Sequence, residues 1–203
     1  MTGGPHVLLL AAGRGRRGGG THKLLWDWRG RPLVVHAAEA ALAAGLPVTA
    51  VVGHNAAAVA AALAHLPVAV ADAPDWAEGM AASLRRGLAA LPAEAGAAVV
   101  ALGDMPRVPA AIHAALAAAW RAGHPLCRPV WRGRPGHPVL FDRSLLPDLL
   151  ALRGDGGARA VLERHAARLH AVPAPDDGVL ADIDTPEALA ALRGPAAGDH
   201  PSG

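Results

Sequence analysis

Short β-branched or leucine-rich runs alternate with alanine-rich stretches through the first part of the chain, and this alternation predicts an α/β fold with a mostly parallel sheet and helices on both faces. The 203 residues are 52% hydrophobic and 18% charged, which fits one compact Rossmann-like domain with a substantial core. The strongly apolar run Ala97-Ala98-Val99-Val100-Ala101 reads as a central strand. Strands are expected at 7–12, 48–52, 68–71, 97–102 and 139–141, and helices at 33–44, 57–65, 80–91 and 109–121. After Gly123 the alternation loosens into a Pro/Gly/Arg stretch at 128–138, helices at 144–152 and 158–164, a strand near Leu169 and a helix after Asp184. The domain is expected to span 1–193, with a division near 122, and to end in a disordered tail at 194–203 whose Gly, Pro, Asp and Ser show no periodicity.

Charge and composition remove several classes of function. A net charge of +2 with scattered arginines offers no aromatic-interleaved basic stripe, so nucleic acid is not an expected partner. No span reaches membrane length without charge or proline, and the apolar run at 7–12 is too short for a signal sequence. Cys127 has no second cysteine to pair with, and its apolar setting reads as core packing in a reducing cytoplasm. The eleven histidines lack zinc-ligand spacing, which leaves them surface or capping roles.

Of nineteen basic residues only Lys23 is a lysine, and it closes a glycine-rich loop that follows the first apolar run. In a chain that otherwise uses arginine, a retained lysine suggests a site needing a compact, flexible ammonium, as phosphate cradles do. The loop Leu10-Ala11-Ala12-Gly13-Arg14-Gly15-Arg16-Arg17-Gly18 satisfies GxGxxG. A dinucleotide fingerprint, however, needs a helix at once, and the glycines before Pro32 predict a loop of about fifteen residues instead. Asp104, in Leu102-Gly103-Asp104-Met105-Pro106, sits at the carboxyl end of a central strand, where ligands bind in open α/β sheets. It suits Mg²⁺, which needs few protein carboxylates; the plainer reading is a turn or a cap for the helix after Pro109. In Asp182-Ile183-Asp184-Thr185-Pro186-Glu187, the pair Asp184 and Glu187 fits a helix cap, and alternation through Ile183 places Asp182 on the same side as a second metal ligand.

The chain resembles the molybdenum-cofactor nucleotidyltransferases, and within them the cytidylyltransferase branch. The resemblance covers nearly the whole chain. It rests on Leu10-Ala11-Ala12-Gly13 with Arg17 and Lys23, Trp76-Ala77-Glu78-Gly79-Met80 leading to Ser83-Leu84, and Gly103-Asp104-Met105-Pro106. It continues through Gly133-Arg134-Pro135-Gly136-His137-Pro138, Gly154-Asp155-Gly156-Gly157-Ala158-Arg159 and Asp182-Ile183-Asp184-Thr185-Pro186. Six segments in order are specific. The chain departs from the family where Arg17 meets Gly18 directly and where Ala73 replaces an asparagine.

The resemblance implies transfer of CMP from CTP, with Mg²⁺, to the terminal phosphate of molybdopterin, with release of pyrophosphate. It implies a nucleotide site of Leu10, Ala11, Ala12, Gly13, Arg14, Gly15, Arg17, Lys23, Gly79, Ser83 and Gly103, with Arg17, Lys23 and Asp104 catalytic. Asp104 and Asp182 would hold the metal, and the half after residue 122 would meet the acceptor through Arg134, His137, Asp155 and Arg159. Transient contact with a molybdoenzyme or its chaperone is also implied. Ala11-Ala12 matches the cytidylyl branch, since the guanylyl branch tends to carry glycine there. A phosphate monoester is already ionised near pH 7, so no general base is needed. GTP or a sugar-phosphate acceptor is the near alternative. A non-catalytic nucleotide sensor and an NAD(P) oxidoreductase are the distant ones, the latter lacking an acidic residue in Val51-Val52-Gly53-His54.

Overall fold

The computed structural model describes residues 3–14, 22–154 and 157–193. In chain order its first half runs β1 (Pro5–Ala11), β2 (Asp27–Trp28), β3 (Arg31–Pro32), α1 (Leu33–Ala43), β4 (Val48–Val52), α2 (Ala56–Leu63), β5 (Val68–Asp72), α3 (Met80–Ala89), β6 (Ala97–Leu102) and α4 (Ala110–Arg121). The second half adds β7 (Leu126–Trp131), β8 (Arg134–Pro135), β9 (Val139–Asp142), α5 (Leu146–Leu150), α6 (Arg159–Arg164), β10 (Leu169–Pro173) and α7 (Pro186–Arg193). Among the described residues, all strands but the β2–β3 hairpin join one sheet of eight strands in the order β10-β7-β9-β6-β1-β4-β5, with β8 on β7. The α/β fold with a mostly parallel sheet is as the sequence predicts.

Alternation along β1 builds the two sides of the core. Val7, Leu9 and Ala11 face one layer with Val34, Ala38, Val59, Ile112 and Leu116 of α1, α2 and α4. Leu8 faces the other with Leu84, Leu88, Phe141, Leu149 and Val161 of α3, β9, α5 and α6. Because both faces are covered, β4 is buried along its whole length and β6 along all but its last residue, as their unbroken apolar runs require.

β1 pairs in parallel with β4 on one side and with β6 on the other. The chain therefore winds outward to β5 and returns across β1 to β6, which puts a topological switch point at the carboxyl ends of β1 and β6. The Ala12-Gly13 loop and the Gly103-Asp104 turn leave the sheet at that point. The Gly103 N–H donates to the Leu10 carbonyl at 3.0 Å and ties the two together.

Two expectations are corrected. The 128–138 stretch carries the second part of β7 and all of β8, although Pro129 interrupts the donors of β7. Only Leu126 and Cys127 of β7 register with β9, so the missing Pro129 N–H costs no bond there, and its carbonyl accepts from the Gly136 N–H. The histidines also differ from a surface role, since His6, His22 and His113 are buried. His6 Nε2 meets Thr49 Oγ1 at 2.9 Å, and burial pushes His113 down to about 4, which keeps it neutral. Cys127 is core packing as expected; its thiol donates to the His124 carbonyl, and burial pushes it up to about 11. The tail at 194–203 lies outside the described residues.

Candidate active site

Lys23 opens a three-residue 3-10 turn, Lys23–Leu25, pinned by Leu24, which is buried beside Gly103. From there Nζ reaches Asp104 Oδ2 and Asp184 Oδ1, each at 2.5 Å. The three groups come from positions 81 and 161 residues apart, and the lysine side chain is 12% exposed. Burial alone would lower the Lys23 pKa, but the two carboxylates outweigh it and hold the ammonium above its ordinary value.

Asp184 reaches this position because Ile183 is anchored. The Ile183 side chain is buried with Trp28, Leu33 and Leu189, and its N–H donates to the Asp104 carbonyl at 2.9 Å. The expected cap at Asp184 is replaced by Thr185, whose Oγ1 accepts from the Ala188 N–H. Asp182, expected as the second metal ligand, is exposed, and among the described residues no hydrogen bond or ion pair joins it to the site. Asp184, rather than Asp182, is the carboxylate that meets Lys23. Asp104 does not cap a helix either, since Pro109 is the residue before α4.

The loop that leaves β1 is held from the other side. The His54 N–H donates to the Ala12 carbonyl at 3.0 Å, and His22 Nε2 meets the Gly13 carbonyl at 3.0 Å. The rings of His22, His54 and Trp76 form a row, with centroids 5.4 and 5.1 Å apart. A Cβ at Gly53 would lie 2.7 Å from Trp76 Cβ and 2.9 Å from Ala12 Cβ, so only glycine lets the row close on the Ala12 methyl. Gly79, at φ 115, turns the chain into α3, and Ser83 is buried one turn on. Gly13 and Arg14 are exposed at the mouth.

The expected acceptor residues are less concentrated. His137 is largely buried in the turn before β9, and its N–H donates to the Val179 carbonyl. Burial and Arg128 hold its pKa below the ordinary value against the pull of Asp104. Arg134 is exposed on β8, and Arg159 is exposed and paired with Glu163 on its own helix at 2.8 Å. Neither is joined to Lys23 by a described bond. Gly15, Arg17 and Asp155 lie outside the described residues.

The MobA-like NTP transferase domain matches residues 7–169, from β1 to the first residue of β10. The chain belongs to that family. It is 33% identical over 191 residues to a nicotine blue oxidoreductase of Paenarthrobacter nicotinovorans, covering 90% of this chain and 93% of that one. It is 35% identical over 194 residues to a molybdenum cofactor guanylyltransferase of Cupriavidus pinatubonensis, covering 90% and 92%. Among solved structures, Rv0371c of Mycobacterium tuberculosis H37Rv superposes with a TM-score of 0.84 at 28% identity, over 95% of this chain and 99% of that one. A second structure of that protein, a complex with manganese, gives 0.70 at 26% identity over 86% and 89%.

In a nucleotidyltransferase of the MobA-like family, the Lys23 cluster is the group to weigh against a metal. One ammonium against two carboxylates leaves the trio a net charge of −1. A divalent cation held by the two carboxylates would offset the charge of a triphosphate. Two carboxylates from separate loops are the hard oxygen donors that Mg²⁺ accepts, with water and phosphate oxygens completing six. The residues fit the metal.

Proposed function

We propose that this protein transfers CMP from CTP to the terminal phosphate of a molybdopterin-type acceptor, with Mg²⁺ held by Asp104 and Asp184. The observation that carries the reading is the convergence of Lys23, Asp104 and Asp184 at the switch point of the sheet. When bound, the metal neutralises charge on the α-phosphate and on the departing pyrophosphate.

The chain's own residues do the remaining work. Lys23 exchanges one carboxylate for the triphosphate and follows the charge that develops on the leaving group. The loop at Gly13 and Arg14 supplies backbone N–H donors, with Arg17 as a further cation. An oxygen of the acceptor phosphate attacks the α-phosphorus, and the bond from that phosphorus to the oxygen bridging to the β-phosphate breaks. Pyrophosphate leaves with the electron pair, and no proton has to be removed from the nucleophile. Arg134, His137, Asp155 and Arg159 are proposed to meet the acceptor.

The preference for CTP rests on Ala12. Ala12 is 2% exposed and packs with Val51, Ala73 and Trp76 beside the ring row. One methyl is worth about 1 to 3 kcal/mol of discrimination against a larger base. The guanylyltransferase relative keeps GTP as the competing donor.

A second reading, an oxidoreductase, is favoured by the likeness to the nicotine blue enzyme. Val51-Val52-Gly53-His54 offers no carboxylate for a ribose at the end of β4, which weighs against a nicotinamide dinucleotide. The deciding experiment offers CTP, GTP, ATP and UTP with Mg²⁺ and purified molybdopterin and measures pyrophosphate. Release with CTP alone is the expected result. Release with GTP alone moves the proposal to guanylyl transfer. No release, together with NADPH oxidation, replaces it.

A further inference from the structure

We propose that His22 is a positioning residue of the triphosphate site, turning the peptide between Gly13 and Arg14 so that its N–H faces the phosphates. The inference rests on the function proposed above and adds a residue to it. A carbonyl oxygen only accepts, so the 3.0 Å contact to Gly13 fixes the proton on His22 Nε2 and leaves Nδ1 as a bare acceptor. Among the described residues that Nδ1 is buried with no hydrogen-bond partner, and His22 is 7% exposed. An orphaned buried acceptor costs stability, and its retention calls for an explanation. Placing the opposite ring nitrogen on Gly13 supplies one.

A trans peptide is planar, so its C=O and N–H point in opposite directions. The Ala12 carbonyl is held by the His54 N–H at 3.0 Å, and the next carbonyl, that of Gly13, is held by His22. Two successive carbonyls are thus turned into the protein, and the N–H groups of Gly13 and Arg14 are turned the other way. Neither donates to another described residue. Successive free N–H groups make an anion-binding concavity. Lys23 is the residue after His22, whose ring holds the Gly13 carbonyl.

The imidazole suits this task because it stays neutral. Burial holds its pKa below the ordinary value; the Gly13 bond opposes this, and His54 and Lys23 reinforce it. A neutral ring donates through Nε2 without placing a second charge beside Lys23.

The test uses inorganic tripolyphosphate with Mg²⁺ as the probe, measured by titration calorimetry on the wild type and two variants. His22→Phe keeps a flat ring in the row and removes the donor, whereas His22→Gln returns an N–H at nearly the same reach. Tripolyphosphate binding is expected to weaken about tenfold in the Phe variant and to stay within about threefold in the Gln variant, with thermal midpoints alike. Equal weakening in both, or binding within about twofold in the Phe variant, overturns the proposal. If the Phe variant does not fold, the wild type still decides. Amide resonances of Gly13 and Arg14 should be among those moved most by tripolyphosphate, and resonances that stay fixed at saturation contradict the role. A failure of nucleotidyl transfer appears separately, as a wild type that binds the probe and releases no pyrophosphate from any nucleotide.

Discussion

Two ion-paired cations of this molecule, Arg159 and Lys23, sit in contrasting surroundings. Arg159 meets Glu163 four residues away on the outer face of α6, with both side chains more than half exposed. Lys23 meets Asp104 and Asp184 from 81 and 161 residues away, nine-tenths hidden from solvent. The first is a local pair in water that forms wherever such residues fall at helical spacing. The second needs the whole sheet to be in place, since its three groups come from three separate loops. Groups gathered from such sequence distance around one buried cation mark a candidate functional site more than a local surface bridge does.

The comparison is broken or sharpened first by the carboxylates. Asp104→Asn and Asp184→Asn should each lower kcat/KM for nucleotidyl transfer by about 10² to 10³, whereas Asp182→Asn should stay within about twofold. Steady-state pyrophosphate release measures all three, and equal losses at Asp182 and Asp184 would undo the assignment. Lys23→Met should cost a comparable factor in turnover. With the ammonium gone the two carboxylates lose the cation they share, so Mg²⁺ should raise the variant's thermal midpoint more than the wild type's. Differential scanning in a magnesium series reads this directly.

Titration supplies a smaller contrast. The folded pKa of Lys23 is raised, so its stabilising contribution is complete below its unfolded value of 10.5 and is lost as pH rises through the folded value. Chemical denaturation should show the wild type losing its advantage over Lys23→Met only above about pH 10.5. On the acid side His113 behaves in the opposite way. Its folded value of about 4 lies below its unfolded 6.5, so stability falls as pH drops between the two, by an amount on the order of 3 kcal/mol. His113→Leu should flatten that slope. The smallest effect belongs to the exposed pair: Glu163→Ala, which breaks it and keeps Arg159, should leave the thermal midpoint and the tripolyphosphate affinity unchanged.

What the sequence makes legible follows from how local each signal is. β1, β4 and β6 can be read because strands buried on both faces must be apolar throughout, and Lys23 and Asp104 because each closes such a strand's loop. β7 is hidden by Pro129 and by the arginines around it, residues tolerated only because its pairing with β9 ends at Cys127. Asp184 is misread because Asp and Glu three apart satisfy a capping pattern, and nothing local reveals that Thr185 is the cap. His22 carries no motif at all. Its one sequence signal is its place beside the single lysine, and its partner, Gly13, becomes visible only when the chain folds back.

The central claim is that Lys23, Asp104 and Asp184 serve one metal-bound polyanion. A crystal grown with CTP and Mn²⁺ in place of Mg²⁺ tests it by anomalous scattering. The expected result is a metal peak within roughly 2.3 Å of oxygens from both Asp104 and Asp184, with Lys23 Nζ moved onto a phosphate. A nucleotide bound while Lys23 still bridges the two carboxylates, or a metal peak distant from both, would contradict it.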